Sequence, residues 1–163
     1  MSAILNIAVQ AAYNAGSIIQ QDSRNLERIK VDRKGHNDFV TEVDKKAEQI
    51  IIQTILKAFP NHNIMSEEDG SIDNNSDTTW IIDPIDGTTN YIHGHPQYCI
   101  SIAVKQEDKI THGAIYDPNR NDIFTAETGK GAQLNGARIR VSRMANLADS
   151  LLATGFPTYD MSL

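Results

Sequence analysis

Apolar residues recur at steps of three and four through the first part of the chain. Leu5, Ala8, Ala12, Ala15 and Ile19 share one face, which predicts an amphipathic helix over residues 2–22. The polar stretch 22–27 ends it. Residues 29–39 are basic, then polar, and hold Gly35, so a loop or a short strand is expected there. A second helix starts near Thr41, with Val43, Ala47, Ile50, Ile51 and Ile55 along one face and Pro60 just past its end. The period then changes. Ile64 and Met65 form a short apolar run, residues 71–77 are a polar loop, and residues 80–82 read as a buried strand stopped by Asp83-Pro84. Runs over 98–104, 110–116, 123–126 and 138–141, split by turn residues such as Asn135-Gly136, predict an antiparallel meander. Residues 150–156 read as a further strand close to Leu163, as expected of a fold whose remainder lies outside this sequence. There is no internal repeat.

Composition narrows the class. The chain has 163 residues, 40% hydrophobic and 22% charged, which is the balance of a globular protein rather than a disordered one. A single cysteine, Cys99, excludes an internal disulfide framework and fits a reducing compartment. The net charge of −6 and the lack of a Lys/Arg block argue against general nucleic-acid binding. The first 21 residues contain no Lys or Arg and are interrupted by Asn6, Gln10, Asn14 and Gln20. They match neither an export signal nor a membrane span, so a cytoplasmic protein is expected.

Candidate chemistry concentrates in Asp83-Pro84-Ile85-Asp86-Gly87-Thr88-Thr89. Asp83 follows an apolar strand, a turn can aim Asp83 and Asp86 at one point, and Gly87 permits close backbone approach. Residues 88–92 open a helix whose first N–H groups favour an anion. Acids beside an anion site make sense with a divalent cation between them, and an all-oxygen donor set favours magnesium. The competing explanation is that Asp86 only caps the helix. Glu67 and Glu68 follow the run at 64–65. One of them would reach the same cluster if that run neighbours residues 80–82; a solvated acidic turn is the alternative. Thr41 and Asp44 fit a capping box, which alone accounts for both; the functional alternative places Asp44 near the metals. Lys34 and His36 precede them as surface candidates. His93 and His95 lack further ligands for zinc, and Cys99 reads as a buried small hydrophobe.

Residues 80–93, Trp-Ile-Ile-Asp-Pro-Ile-Asp-Gly-Thr-Thr-Asn-Tyr-Ile-His, resemble the first signature of the inositol monophosphatase family of magnesium-dependent, lithium-sensitive phosphatases. Residues 38–44, 66–68, 99–103, 129–132, 134–136 and 153–157 also resemble family segments. The resemblance implies an α+β fold, the layered α/β/α/β/α sandwich shared with fructose-1,6-bisphosphatase, with its C-terminal part missing. Residues 1–145 would be an N-terminal α+β domain carrying most metal ligands, and 146–163 the start of a truncated α/β domain. It implies that Glu67, Asp83 and the Ile85 carbonyl bind a first magnesium and that Asp83 and Asp86 bind a second, where lithium acts. Glu67 would also face a weaker third ion. Asp44 and Thr88 would activate water, the Gly87 and Thr88 amides would hold phosphate, and Asp86 would touch sugar hydroxyls. Lys34 is a weaker transfer, as a phosphate or metal-water contact. The family's later Trp-Asp motif is absent, so the 163-residue chain alone is expected to be inactive. Thr88-Thr89-Asn90-Tyr91 places the sequence in the inositol monophosphatase branch. The implied reaction is hydrolysis of a phosphate monoester such as inositol 1-phosphate, by a homodimer. The alternative is an antitermination factor acting with RNA polymerase, since some bacterial relatives resemble such factors.

Overall fold

The computed structural model describes residues 1–28, 31–35, 38–68 and 70–154. Helix α1 spans Ala3–Asp22, and Ser2 caps it by accepting the Leu5 N–H. It ends at Asp22, where the polar stretch begins, and a 3-10 segment, Ser23–Arg28, follows. Strands β1 (Val31–Gly35) and β2 (Asp38–Thr41) pair as an antiparallel hairpin. Helix α2 is Glu42–Ala58. Eight strands form one sheet: β3 Asn63–Ser66, β4 Ser71–Ile72, β5 Thr78–Asp86, β6 Cys99–Gln106, β7 Lys109–Asp117, β8 Asp122–Glu127, β9 Gly131–Leu134 and β10 Ala137–Ile139. Their order is β10-β9-β8-β7-β6-β5-β3-β4. The run from β6 to β10 is the expected meander with β9 added, β5 pairs antiparallel with β6, and β3 lies parallel to β5.

The core lies between one sheet face and the two long helices. Ala8, Ala11, Ala12, Ala15 and Ile19 of α1 meet Val43, Ala47, Ile51 and Ile55 of α2 over Trp80, Ile82, Ile100, Ile102, Val104 and Ala114. The small alanines let the helices approach closely. Gly16 extends this: a Cβ there would stand 2.4 Å from the Tyr116 ring of β7. Trp80 donates its indole N–H to Nδ1 of His62, which stacks on Phe59. Burial lowers the His62 pKa and keeps that nitrogen an acceptor. The other sheet face carries half-buried Ile81 and Ala103 and exposed Ile115 and Phe124.

Several expectations need correction. Pro84 does not stop β5; the strand shifts register between Asp83 and Asp86 and continues, so the proline sits where no ladder bond is required. Ile50 is half-exposed, and the buried place one turn from Asp44 belongs to Glu48. The polar segment at 71–77 begins with β4, and β9 was not foreseen. Residues 150–154 take no strand, and 155–156 lie outside the described residues.

Candidate active site

The register of the sheet brings the acids together. Ser66 of β3 pairs with Ile82 of β5, so Glu67, the first residue past β3, comes beside Asp83 of β5. Between Asp83 and Asp86 the bulge buries Pro84 and Ile85 and turns Asp86 to the surface. Gly87 follows at φ +102°, a left-handed conformation that glycine adopts without strain, and leads into α3 (Thr88–Ile92). A Cβ at Gly87 would lie 3.0 Å from the Gln97 carbonyl and 3.2 Å from the Tyr98 Cβ. Both the turn and the packing therefore demand glycine. No side chain caps α3, so helix capping does not explain Asp86.

Asp83 is electrostatically out of balance. Its Oδ1 is buried with no hydrogen-bond partner. Burial first, then the charges of Glu67 and Asp86, push its pKa up to about 8. Three carboxyl groups and the Ile85 carbonyl offer only oxygen donors, the set that suits a hard divalent cation. Among the described residues, no group of three or more His, Cys, Asp or Glu side chains is placed to hold a metal ion by itself. Magnesium keeps several waters and takes only one or two carboxylates per ion, so two neighbouring acids suffice as its protein ligands. The buried orphan oxygen is what such a cation would satisfy.

Asp44 lies at the start of α2, only 1% exposed. Its Oδ2 accepts the Thr41 N–H at 2.9 Å and the Thr41 hydroxyl at 2.5 Å, completing the capping box. Its Oδ1 accepts the Thr88 hydroxyl at 3.2 Å, and that hydroxyl also lies 3.0 Å from the Ile85 carbonyl. The capping box thus accounts for Oδ2, while Oδ1 is turned to Thr88. Burial is the largest influence on Asp44 and raises its pKa; the hydrogen bonds from Thr41 and Thr88 oppose it.

The family model for the inositol monophosphatase family matches residues 1–162. The chain belongs to the inositol monophosphatase family. Over 158 residues it is 49% identical to the Nus factor SuhB of Vibrio cholerae, covering 96% of this chain and 59% of that one. A crystal structure of the extragenic suppressor protein suhB from Bartonella henselae superposes with a TM-score of 0.86 at 42% identity, over 88% of this chain and 56% of that one. The inositol monophosphatase from Anabaena superposes with a TM-score of 0.73 at 36% identity, over 86% of this chain and 50% of that one. The chain thus spans between half and three-fifths of the length of these relatives. The fold class is the α+β sandwich type of this family. No helix among the described residues is long and apolar enough to cross a membrane.

Within the family fold, Asp44, Glu67, Asp83, Ile85, Asp86, Gly87 and Thr88 gather at the end of β3 and β5 and the start of α3. Of the two adjacent acids, Glu67 is the one beside Asp83; the Glu68 backbone N–H instead donates to Glu48. Lys34 lies in β1, with its side chain outside the described part, and His36 lies outside the described residues. Cys99 is half-buried rather than buried, and its Sγ lies 3.8 Å from Asp86 Oδ2. Burial, then Asp86 and Asp83, push its thiol up to about 12, so it offers no thiolate nucleophile. His93 and His95 are exposed. A cleft of about 140 Å³ lies away from the acids, lined by Met1, Leu5, Thr125, Glu127 and Lys130 among others. Sequence reasoning passed over Glu48. Its signal was an acid four residues after Asp44, on the apolar face of α2.

Proposed function

We propose that the protein hydrolyses phosphate monoesters with magnesium, inositol 1-phosphate being the substrate to try first. The observation that carries this reading is the buried, unpartnered Asp83 oxygen between Glu67 and Asp86, beside the Thr88–Asp44 pair. Glu67, Asp83 and the Ile85 carbonyl would hold one ion, Asp83 and Asp86 a second, and Glu67 would face a weaker third. When bound, magnesium neutralises phosphoryl oxygens, lowers the pKa of water and stabilises the leaving oxygen. The chain's own residues do the rest. The Thr88 hydroxyl donates to Asp44 Oδ1, which leaves its oxygen lone pairs to accept a hydrogen bond from the attacking water. As that water attacks phosphorus, its proton passes to Thr88 Oγ1 while the Thr88 proton moves to Asp44 Oδ1. Asp44 is buried, so it acts through Thr88 rather than on water directly. Thr41 fixes the other Asp44 oxygen and so its orientation. The Gly87 and Thr88 backbone amides would hold phosphate oxygens, and exposed Asp86 would meet the alcohol hydroxyls.

A second reading is favoured by the relatives called Nus factor SuhB. It is that the protein binds the RNA polymerase machinery and that catalysis is dispensable for that role. The test of the first reading is phosphate release from inositol 1-phosphate by the full-length protein. It is expected to require magnesium, to stop with EDTA and to return on adding magnesium back. No release at saturating magnesium, with capture of RNA polymerase by wild type and Asp83→Asn alike, would favour the second.

A further inference from the structure

A glutamate with no exposed surface is an anomaly on the apolar face of α2. Glu48 is 0% exposed, among Val43, Ala47, Ile51 and Ile55. Burying a carboxyl group is costly unless its oxygens find donors. Glu48 Oε2 accepts the backbone N–H of Glu68 at 3.1 Å. That amide belongs to the turn between β3 and β4, which closes where Ser66 N and Oγ meet the Gly70 carbonyl at 2.9 and 3.0 Å. Gly70 holds φ +87°, a left-handed conformation that glycine adopts without strain. The residue just before the held amide is Glu67, whose carboxyl group stands beside Asp83.

Glu48 also lies four residues after Asp44, on the same face of the same helix. One turn of α2 therefore presents two buried carboxyl groups to the two halves of the site. Asp44 fixes Thr88 at the start of α3, and Glu48 grips the turn that carries Glu67. We infer that Glu48 is a positioning residue: by accepting the Glu68 amide it sets where the Glu67 carboxyl group stands relative to Asp83. The helix then acts as a ruler, holding the Glu67 turn and the Thr88 hydroxyl at a fixed separation. This rests on the proposed role of Glu67 in holding magnesium. Outer partners that orient metal ligands typically change affinity about tenfold to a hundredfold when removed.

The test uses two variants. Glu48→Met keeps the volume and apolar packing but has no acceptor; Glu48→Gln keeps a carbonyl that can accept the same N–H. Two quantities are measured: hydrogen exchange at the Glu68 amide, and magnesium affinity by calorimetry. Glu48→Met is expected to exchange Glu68 at least about tenfold faster and to bind magnesium at least about tenfold more weakly. Glu48→Gln should return both to within about threefold of wild type, which a purely structural requirement for the acid would not allow. Unchanged exchange in Glu48→Met, or faster exchange with wild-type affinity, would overturn the inference. A tenfold loss of affinity in Glu48→Gln would overturn it too, and that arm stands even if Glu48→Met does not fold. Glu67→Gln is run in parallel. If it weakens magnesium binding while Glu48→Met does not, only the positioning role fails. If Glu67→Gln binds magnesium as wild type does, the functional reading fails and takes the positioning role with it.

Discussion

Replacing Asp83 with asparagine in the full-length protein is expected to abolish magnesium-dependent phosphate release while the metal-free fold holds or gains stability. The two effects come from one cause. Asp83 is the group shared between the proposed ions, so removing its charge weakens both. The turnover lost should reach at least about a hundredfold, or ~2.7 kcal/mol of barrier. The stability effect has the opposite sign. Asp83 titrates near 8 in the fold against 3.8 for an ordinary aspartate. The fold therefore binds a proton that the unfolded chain has released, throughout the window between those values. Without a cation, stability is greatest at the acid end of that window and is lost as pH rises through about 8. Above it, ionised Asp83 faces the charges of Glu67 and Asp86 with one buried oxygen unpaired. Asparagine removes that repulsion, so in EDTA at pH 8 the melting temperature of Asp83→Asn should equal or exceed that of wild type. A melting temperature well below wild type would mean that Asp83 is a structural acid and not a cation ligand.

Thr88→Ala should lower kcat by about a hundredfold or more and leave KM within about threefold. Its hydroxyl links the buried Asp44 oxygen to the place where water would stand, whereas the phosphate contact proposed at Thr88 uses the backbone, which alanine keeps. The variant also leaves Asp44 Oδ1 without its Thr88 donor, while Thr41 still holds Oδ2. Steady-state kinetics with inositol 1-phosphate distinguishes the cases. A large rise in KM with kcat maintained would assign Thr88 to substrate binding and remove the proton route.

Much of this site was readable along the chain because its elements are local. The three-four period of α1 and α2, the Thr41–Asp44 box and the turn residues of the meander each act within a few positions. The Asp83–Thr88 run is contiguous, so its chemistry could be read before its geometry. What remained hidden depended on pairings distant in sequence. The choice between Glu67 and Glu68 required the β3–β5 register and the grip of Glu48 on the Glu68 amide. Pro84 looked like a strand stop because proline donates no ladder bond, yet the bulge between Asp83 and Asp86 makes that donor unnecessary. Strands β4 and β9 are two and four residues long, too short to show alternation, and form because neighbours supply their hydrogen bonds. Glu48 was concealed by the pattern that revealed its helix, since an acid on an apolar face looks like an interruption until its partner is seen.

The most direct measurement is a calorimetric magnesium titration of the wild-type protein at pH 7, in two buffers of different ionisation enthalpy. Because burial and the charges of Glu67 and Asp86 push Asp83 up to about 8 in the cation-free fold, the acid cluster holds a proton at pH 7 that cation binding must expel. The predicted result is saturable binding with proton release at pH 7 that declines as pH rises above about 8. Binding without proton release at pH 7, or no saturable binding, would contradict the assignment of Asp83, flanked by Glu67 and Asp86, as the cation site.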